Sequence, residues 1–257
     1  MSPEKKVVLI TGSNSGIGFE TIALLAQVSD EYHIIMCARS IEKGDEALRN
    51  IRSTYGMTIK STISVIQLDV TDKESILAAR DELKKSYGKL DVLVNNAGIL
   101  ILEPMERLDL LRKSFETNLF GPWYLTEVLE PLLKASAAPL IIDVTSDQGS
   151  ITRKLDPTNP WASLPGEHYR ASKSGVNMMA ACQRYSYKEW GCRVCAFNPG
   201  FCVTNLSGEE NRQMRIDGGA RPAIDAANAM VEIIIGKRDA DFELNGMMDI
   251  DGGILPW

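Results

Sequence analysis

The sequence predicts an α/β fold, a doubly wound parallel sheet of about seven strands with helices on both faces. Three observations lead there. Short apolar runs alternate with charged stretches of helical period, the pattern of strands joined by crossover helices. The first run, Val7-Val8-Leu9-Ile10, is apolar throughout, as a strand covered on both faces requires. Loops rich in Gly, Asn and Ser follow several of the runs directly, at the strand ends where open parallel sheets hold ligands.

The elements follow in order. Val7 to Ile10 reads as a buried strand, and Gly16 to Val28 as its helix. His33 to Ala38 is a second strand, followed by the charged amphipathic helix Ile41 to Tyr55. Ile63 to Leu68 is a third strand, and Asp72 to Tyr87 a helix stopped by Gly88. Leu90 to Val94 is a fourth strand, ended by Asn95-Asn96-Ala97-Gly98, with two helices expected at about 105–117 and 119–135. Leu140 to Val144 is a fifth strand. The segment 147–167 contains Pro157, Pro160 and Pro165 and little periodicity, so it reads as a long loop. Tyr169 to Trp190 is a long helix and Arg193 to Phe197 a sixth strand; a helix at Pro222 to Ile235 and a short strand at Met247 to Ile250 close the chain. No repeat, low-complexity tract or linker interrupts the pattern, so residues 1–257 read as one domain with an extended substrate loop at about 147–167.

Composition sets limits on function. The 44% hydrophobic and 24% charged residues are those of an ordinary globular chain. A net charge of −6 argues against nucleic acid or an anionic membrane surface as the main partner. No run approaches the roughly 18 apolar residues of a transmembrane helix, and Met1 to Lys6 leads into a strand without a signal-peptide core. A cytoplasmic location is therefore expected. Five cysteines without framework spacing read as reduced, mostly buried thiols. Cys192 and Cys195 imitate a metal pair, but residues three apart on a strand point to opposite faces. His33 and His168 are too few for a His-based metal site or triad, so no metal is expected. Met178 and Met179 on the long helix read as core.

Three motifs carry chemistry. Thr11-Gly12-Ser13-Asn14-Ser15-Gly16-Ile17-Gly18 places glycines between a strand and a helix. There the backbone can approach a pyrophosphate that meets the unpaired N–H groups of the helix start. The spacing is G-x-x-x-G-x-G rather than G-x-G-x-x-G, and a plain glycine turn remains open on this motif alone. The second strand ends in Cys37-Ala38-Arg39-Ser40, without the acid that binds a ribose 2′-hydroxyl. Arg39 offers a fork for a 2′-phosphate and Ser40 a hydroxyl, although a solvated Arg opening a helix is the plain alternative. Tyr169 and Lys173 stand four apart, on one helix face. A nearby ammonium favours phenolate, which would bring the Tyr toward working pH. Many helices carry such a pair by chance.

The combination decides. The Thr11–Gly18 loop, Asn95-Asn96-Ala97-Gly98, Ser146, Tyr169 with Lys173, and Asn198-Pro199-Gly200 occur in this order, each at its proper strand or helix. The chain thereby resembles the short-chain dehydrogenase/reductase family of the classical type, over essentially its whole length. The loop before Tyr169 and a C-terminal Trp resemble carbonyl-reductase-like members. The resemblance implies a Rossmann-like domain, a nicotinamide dinucleotide and hydride transfer at a carbonyl or alcohol carbon. It implies that Tyr169 is the acid in reduction and the base in oxidation, with Lys173 beside it on the nicotinamide ribose. It implies that Ser146 holds the substrate oxygen and that Asn118 completes a proton relay. For the cofactor it implies Gly12, Ser15, Gly16, Ile17 and Gly18 at the phosphates, and Asp69 and Val70 at the adenine. Asn96, Ala97 and Gly98 would lie under the adenosine side, and Pro199, Gly200, Cys202 and Thr204 at the nicotinamide end. Arg39 falls where NADP-preferring members carry a basic residue. The chain departs from the family at Asp143, usually Asn, and at Cys202, commonly a branched aliphatic. Its loop between Ser146 and Tyr169 is also longer than usual.

The expected function is that of an NADP(H)-dependent oxidoreductase acting on a carbonyl, alcohol or imine carbon of a medium-sized, cyclic or aromatic substrate. Asp147 would attract a cationic group, with a solvated or helix-capping Asp as the plain alternative, and Trp161 with Leu164 would cover a ring. A non-redox isomerase or cyclase retaining the dinucleotide is the alternative, separated by whether NADPH absorbance is lost. A silent dinucleotide-binding protein would not need the set Asn118, Ser146, Tyr169 and Lys173. The expected assembly is a monomer or homodimer.

Overall fold

The computed structural model describes residues 5–257. Along the chain the elements are β1 (Lys6–Ile10), α1 (Gly16–Val28), β2 (Tyr32–Ala38), α2 (Ile41–Tyr55), β3 (Thr62–Gln67), α3 (Lys73–Ser86) and β4 (Val92–Asn95). Then come α4 (Arg107–Phe115), α5 (Gly121–Lys134), β5 (Leu140–Val144), α6 (Ile151–Leu155), α7 (Glu167–Tyr187) and β6 (Arg193–Asn198). The last are α8 (Arg212–Asp217), α9 (Ala223–Ile234), β7 (Met247–Asp249) and β8 (Ile254–Leu255).

The strands form one sheet in the order β3-β2-β1-β4-β5-β6-β7-β8. β1 pairs in parallel with both β2 and β4, so the chain reverses its direction of travel across the sheet there. This is the switch point at which open α/β sheets leave a crevice. The fold is a Rossmann-like α/β sandwich. β8 runs antiparallel to β7 and makes eight strands where the sequence predicts about seven.

Alternate residues of β1 explain its unbroken apolar run. Val8 and Ile10 pack into one core with Ile22 and Leu25 of α1, Ile51 of α2 and Met230 of α9. Val7 and Leu9 pack into the other with Ile76 and Leu83 of α3, Leu125 and Leu129 of α5 and Ala180 of α7. Cys195 belongs to the first core and Cys192 to the second, so the two thiols face opposite sides of the sheet. Asp72 caps α3 by accepting from the Glu74 amide, and Ser40 caps α2 by accepting from the Lys43 amide. No helix among the described residues is long and apolar enough to cross a membrane.

Four local features differ from expectation. The two helices expected at 105–135 run on as α4, a π-helical turn at Glu116–Phe120, and α5. The 147–167 segment is not all loop: it contains a 3₁₀ turn at Asp147–Gly149 and then α6. Ser146 and Ser150 cap these two turns, so local polar caps rather than periodicity shape the segment. α8 lies where no helix was expected. Met178 is 63% exposed, whereas Met179 is fully buried. Adjacent helical residues diverge by about 100°, and only one of this pair can face the sheet.

Candidate active site

A cleft of about 1250 Å³ opens at the carboxyl ends of the strands. Its floor at one end is the Thr11–Gly18 loop. Gly12 has φ of +60°, and a Cβ there would stand 2.9 Å from the Cα of Ala97. Only glycine lets these two loops touch. The contact is then bolted by hydrogen bonds. Asn96 Nδ2 donates to the carbonyls of Thr11 at 2.8 Å and Gly12 at 3.1 Å, while the amides of Asn96 and Ala97 donate to Thr11 Oγ1. No side chain caps the start of α1 at Ser15, and its first turn carries no acid. The N–H groups and positive dipole end of a 13-residue helix are thus left facing the cleft beside Gly16 and Ile17. This cradle fits the pyrophosphate of a dinucleotide.

Gly12, Ser15, Gly16, Ile17, Arg39, Ser40, Asp69, Val70, Asn96, Ala97 and Gly98 line that half of the cleft. The Asp69 carboxylate turns back to accept from Thr71 N and Oγ1, at 2.9 and 2.7 Å. Ser40 donates to Glu42 at 2.6 Å, which engages the hydroxyl that was expected to face the cofactor. Lys43, one turn into α2, lines the cleft beside Arg39. The sequence did not single it out, although a cation four residues after Arg39 is a readable signal.

Ser146, Tyr169, Lys173, Pro199, Gly200, Cys202 and Thr204 line the other half, with Asp147 and Trp161 at the rim. Gly18 and Asn118 stand behind the wall. A Cβ at Gly18 would press on Ser13 and the Asn96 amide. Asn118 sits in the π-helical turn, where Oδ1 accepts from Ile99 N at 2.8 Å and Nδ2 donates to Ile99 O and Ser172 Oγ, both at 3.0 Å. It therefore fixes the strand-end loop against α7. A Cβ at Gly98 would lie 3.3 Å from Asn118 Oδ1 and 3.6 Å from Lys173 Nζ, so the three groups converge.

Tyr169 and Lys173 share one face of α7, with the ammonium 5.9 Å from the phenol ring centre. Lys173 Nζ donates to Val144 O at 2.8 Å. Burial pushes the Tyr169 phenol up to about 12, opposed by the Ser146 hydroxyl and the Arg215 cation. The sequence-based expectation of a lowered phenol is thus reversed in the free protein, because desolvation outweighs those opposing groups. Burial also lowers Lys173, opposed by Asp143. Desolvation raises Asp143 in turn, opposed by a hydrogen bond from Asn95 and by the Lys173 charge. Asp143 and Lys173 form a buried acid–base couple beneath the site. Asn95 Nδ2 supports it at 2.8 Å from Asp143 Oδ1.

The segment above the site is tied down by α7. Arg170 Nη2 donates to the carbonyls of Trp161 at 2.5 Å and Leu164 at 3.4 Å. Asp147 lies 3.4 Å from Arg153 of α6, so its charge already has a partner. The Trp161 ring stands 6.2 Å from Phe201.

The profile of the family described as short chain dehydrogenase matches residues 6–215. The chain belongs to the short-chain dehydrogenase/reductase family. Among curated members, it is 37% identical over 229 residues to the short-chain dehydrogenase anuI of Penicillium roqueforti, covering 87% of this chain and 88% of that one. It is 32% identical over 269 residues to the short-chain dehydrogenase/reductase tropE of Talaromyces stipitatus, covering 99% and 98%. In fold it matches an NADPH-bound carbonyl reductase from chicken fatty liver, with a TM-score of 0.78, 24% identity, and coverage of 99% and 100%. Family members are oxidoreductases that use a nicotinamide cofactor and act on small molecules.

Proposed function

We propose that the protein is an NADP(H)-dependent reductase of carbonyl or imine groups, or dehydrogenase of the matching alcohol, on a medium-sized cyclic or aromatic substrate. The observation that carries the reading is one cleft holding a phosphate cradle at one end and Ser146, Tyr169 and Lys173 at the other. Its volume exceeds the roughly 300–1,000 Å³ of a site for one small ligand, which leaves room for two.

Arg39 and Lys43 supply two cations at the adenosine end, and the end of β2 carries no acid to bind a ribose 2′-hydroxyl, which favours a 2′-phosphate. The dinucleotide, when bound, supplies or accepts the hydride. Tyr169, kept protonated by burial, donates its proton to the substrate oxygen in reduction. Ser146, on the loop after β5, offers its hydroxyl to the same oxygen. Lys173, fixed by Val144, places positive charge next to the phenolate that remains. The 147–167 segment forms the rim, and Trp161 with Phe201 gives it an aromatic wall suited to a ring.

The test is a panel of cyclic and aromatic ketones, aldehydes and imines with NADPH and NADH, followed by loss of reduced-cofactor absorbance. Substrate conversion without cofactor oxidation would overturn the redox reading in favour of an isomerase or cyclase.

A further inference from the structure

Resting on that reading, we infer that Arg215 is the specificity-determining residue of the substrate half, and that it receives an anionic oxygen group of the substrate, a carboxylate in the simplest case. Arg215 sits on α8 and lines the cleft together with Cys202 and Trp161. It is 7% exposed. Nε donates to Cys202 O at 2.8 Å, and the guanidinium carbon lies 4.8 Å from the Phe201 ring centre. These two contacts fix the plane of the guanidinium. Among the described residues neither Nη nitrogen has a hydrogen-bond or ion-pair partner.

A buried cation normally has a counter-ion, because removing it from water is costly without one. Two neighbouring charges at this end are already answered. Asp147 pairs with Arg153, and Arg170 donates to the Trp161 and Leu164 carbonyls. Arg215 is left as an oriented fork with free donors, close enough to Tyr169 for each to influence the other's ionisation. That fork matches the two oxygens of a carboxylate. The Phe201 and Trp161 rings beside it suit the aromatic or cyclic body carrying that group. The charge preference is opposite to the one the sequence suggested through Asp147, because Arg153 occupies Asp147 while nothing occupies Arg215.

The probes are 4-carboxybenzaldehyde and its methyl ester, which differ in charge at one end only. Their binding is measured by calorimetry to the free protein and to the NADPH complex, and their reduction by NADPH absorbance. Wild type is expected to favour the acid by about tenfold or more in Kd and in kcat/KM. R215Q should lose that preference. R215K should keep part of it, a point charge in place of a fork. Because the acid-to-ester ratio is taken within each variant, a general loss of activity leaves it readable. Should R215Q not fold, the shrinkage of the ratio in R215K carries the same decision. An acid-to-ester ratio near one in wild type overturns the assignment. So does a ratio unchanged in both variants, or a loss of NADPH affinity in R215Q as large as the loss of acid binding. Failure of wild type to bind NADPH would instead refute the oxidoreductase reading, and the comparison in the free protein would still decide Arg215.

Discussion

The ammonium of Lys173 donates to the carbonyl oxygen of Val144 across 2.8 Å, tying α7 to the last residue of β5. Two residues further along that strand's exit lies Ser146, and one helical turn back along α7 lies Tyr169. One bond thus sets the spacing of the hydroxyl pair and holds a positive charge between the helix and the sheet.

Removing either end of this arrangement should separate chemistry from binding. Tyr169→Phe is expected to lower kcat for carbonyl reduction by about 10²–10⁴-fold, the usual worth of general acid catalysis, with NADPH affinity retained. Lys173→Met should lose comparable activity and weaken NADPH binding as well. Steady-state kinetics with calorimetric NADPH titration checks both, and turnover by Tyr169→Phe at the wild-type rate would contradict the assignment.

Cofactor choice should follow the two cations at the adenosine end. Wild type is expected to bind NADPH more tightly than NADH. Arg39→Ala should cost about one to two decades of NADPH affinity with little change for NADH, since a charge-assisted bond contributes about 1.5–3 kcal/mol. Lys43→Ala should act in the same direction, less strongly. Equal wild-type affinities, or a parallel loss for both cofactors in Arg39→Ala, would refute the preference.

The raised phenol has a consequence for alkaline stability. In the unfolded chain Tyr169 titrates near pH 10, whereas in the folded free protein burial holds it up to about 12. Between these values the native state binds more protons than the unfolded one, so stability falls as pH rises through the window. Below it the contribution is fully present. Urea unfolding of wild type and Tyr169→Phe at several pH values isolates the effect, because the other tyrosines are common to both. The difference in stability between them should be flat below pH 10 and shift against wild type above it. A shift centred near neutrality would mean a depressed phenol instead.

Arg170 should govern the rim. Arg170→Ala removes both bonds to the Trp161 and Leu164 carbonyls. Faster tryptic cleavage at Arg153 or Lys154 is expected, with a KM raised roughly tenfold and a smaller change in kcat, the mark of lost uniform binding. Unchanged proteolysis and KM would show that the segment is held by other contacts.

The legible parts of the molecule are those with a repeating physical cause. From Val7 to Ile10 β1 is apolar because it borders two cores, and this is visible in four consecutive letters. The glycine turn after β1 was legible because glycine at position 12 answers to one contact, that with Ala97. The π-helical turn was not legible. Its signature is a backbone bond from the Gly121 amide to the Glu116 carbonyl five residues back, which composition does not show. β8 is two residues long, too short for any period. Arg215 was hidden for a different reason: it lies in a polar stretch that reads as surface, and only packing shows that its neighbours enclose it.

The distribution of thiols makes this protein a gauge of its own opening. All five cysteines are free, and of these only Cys182, on the outer side of α7, is exposed. Burial pushes Cys202 up to about 11 and Cys192 up to about 12, and raises Cys37 and Cys195 further. Alkylation needs both access and thiolate. A maleimide should therefore add one mass increment to the native molecule and five to the unfolded one. In partly labelled molecules, peptide mapping of the label would report which half of the sandwich has parted, since Cys192 and Cys195 look into opposite cores.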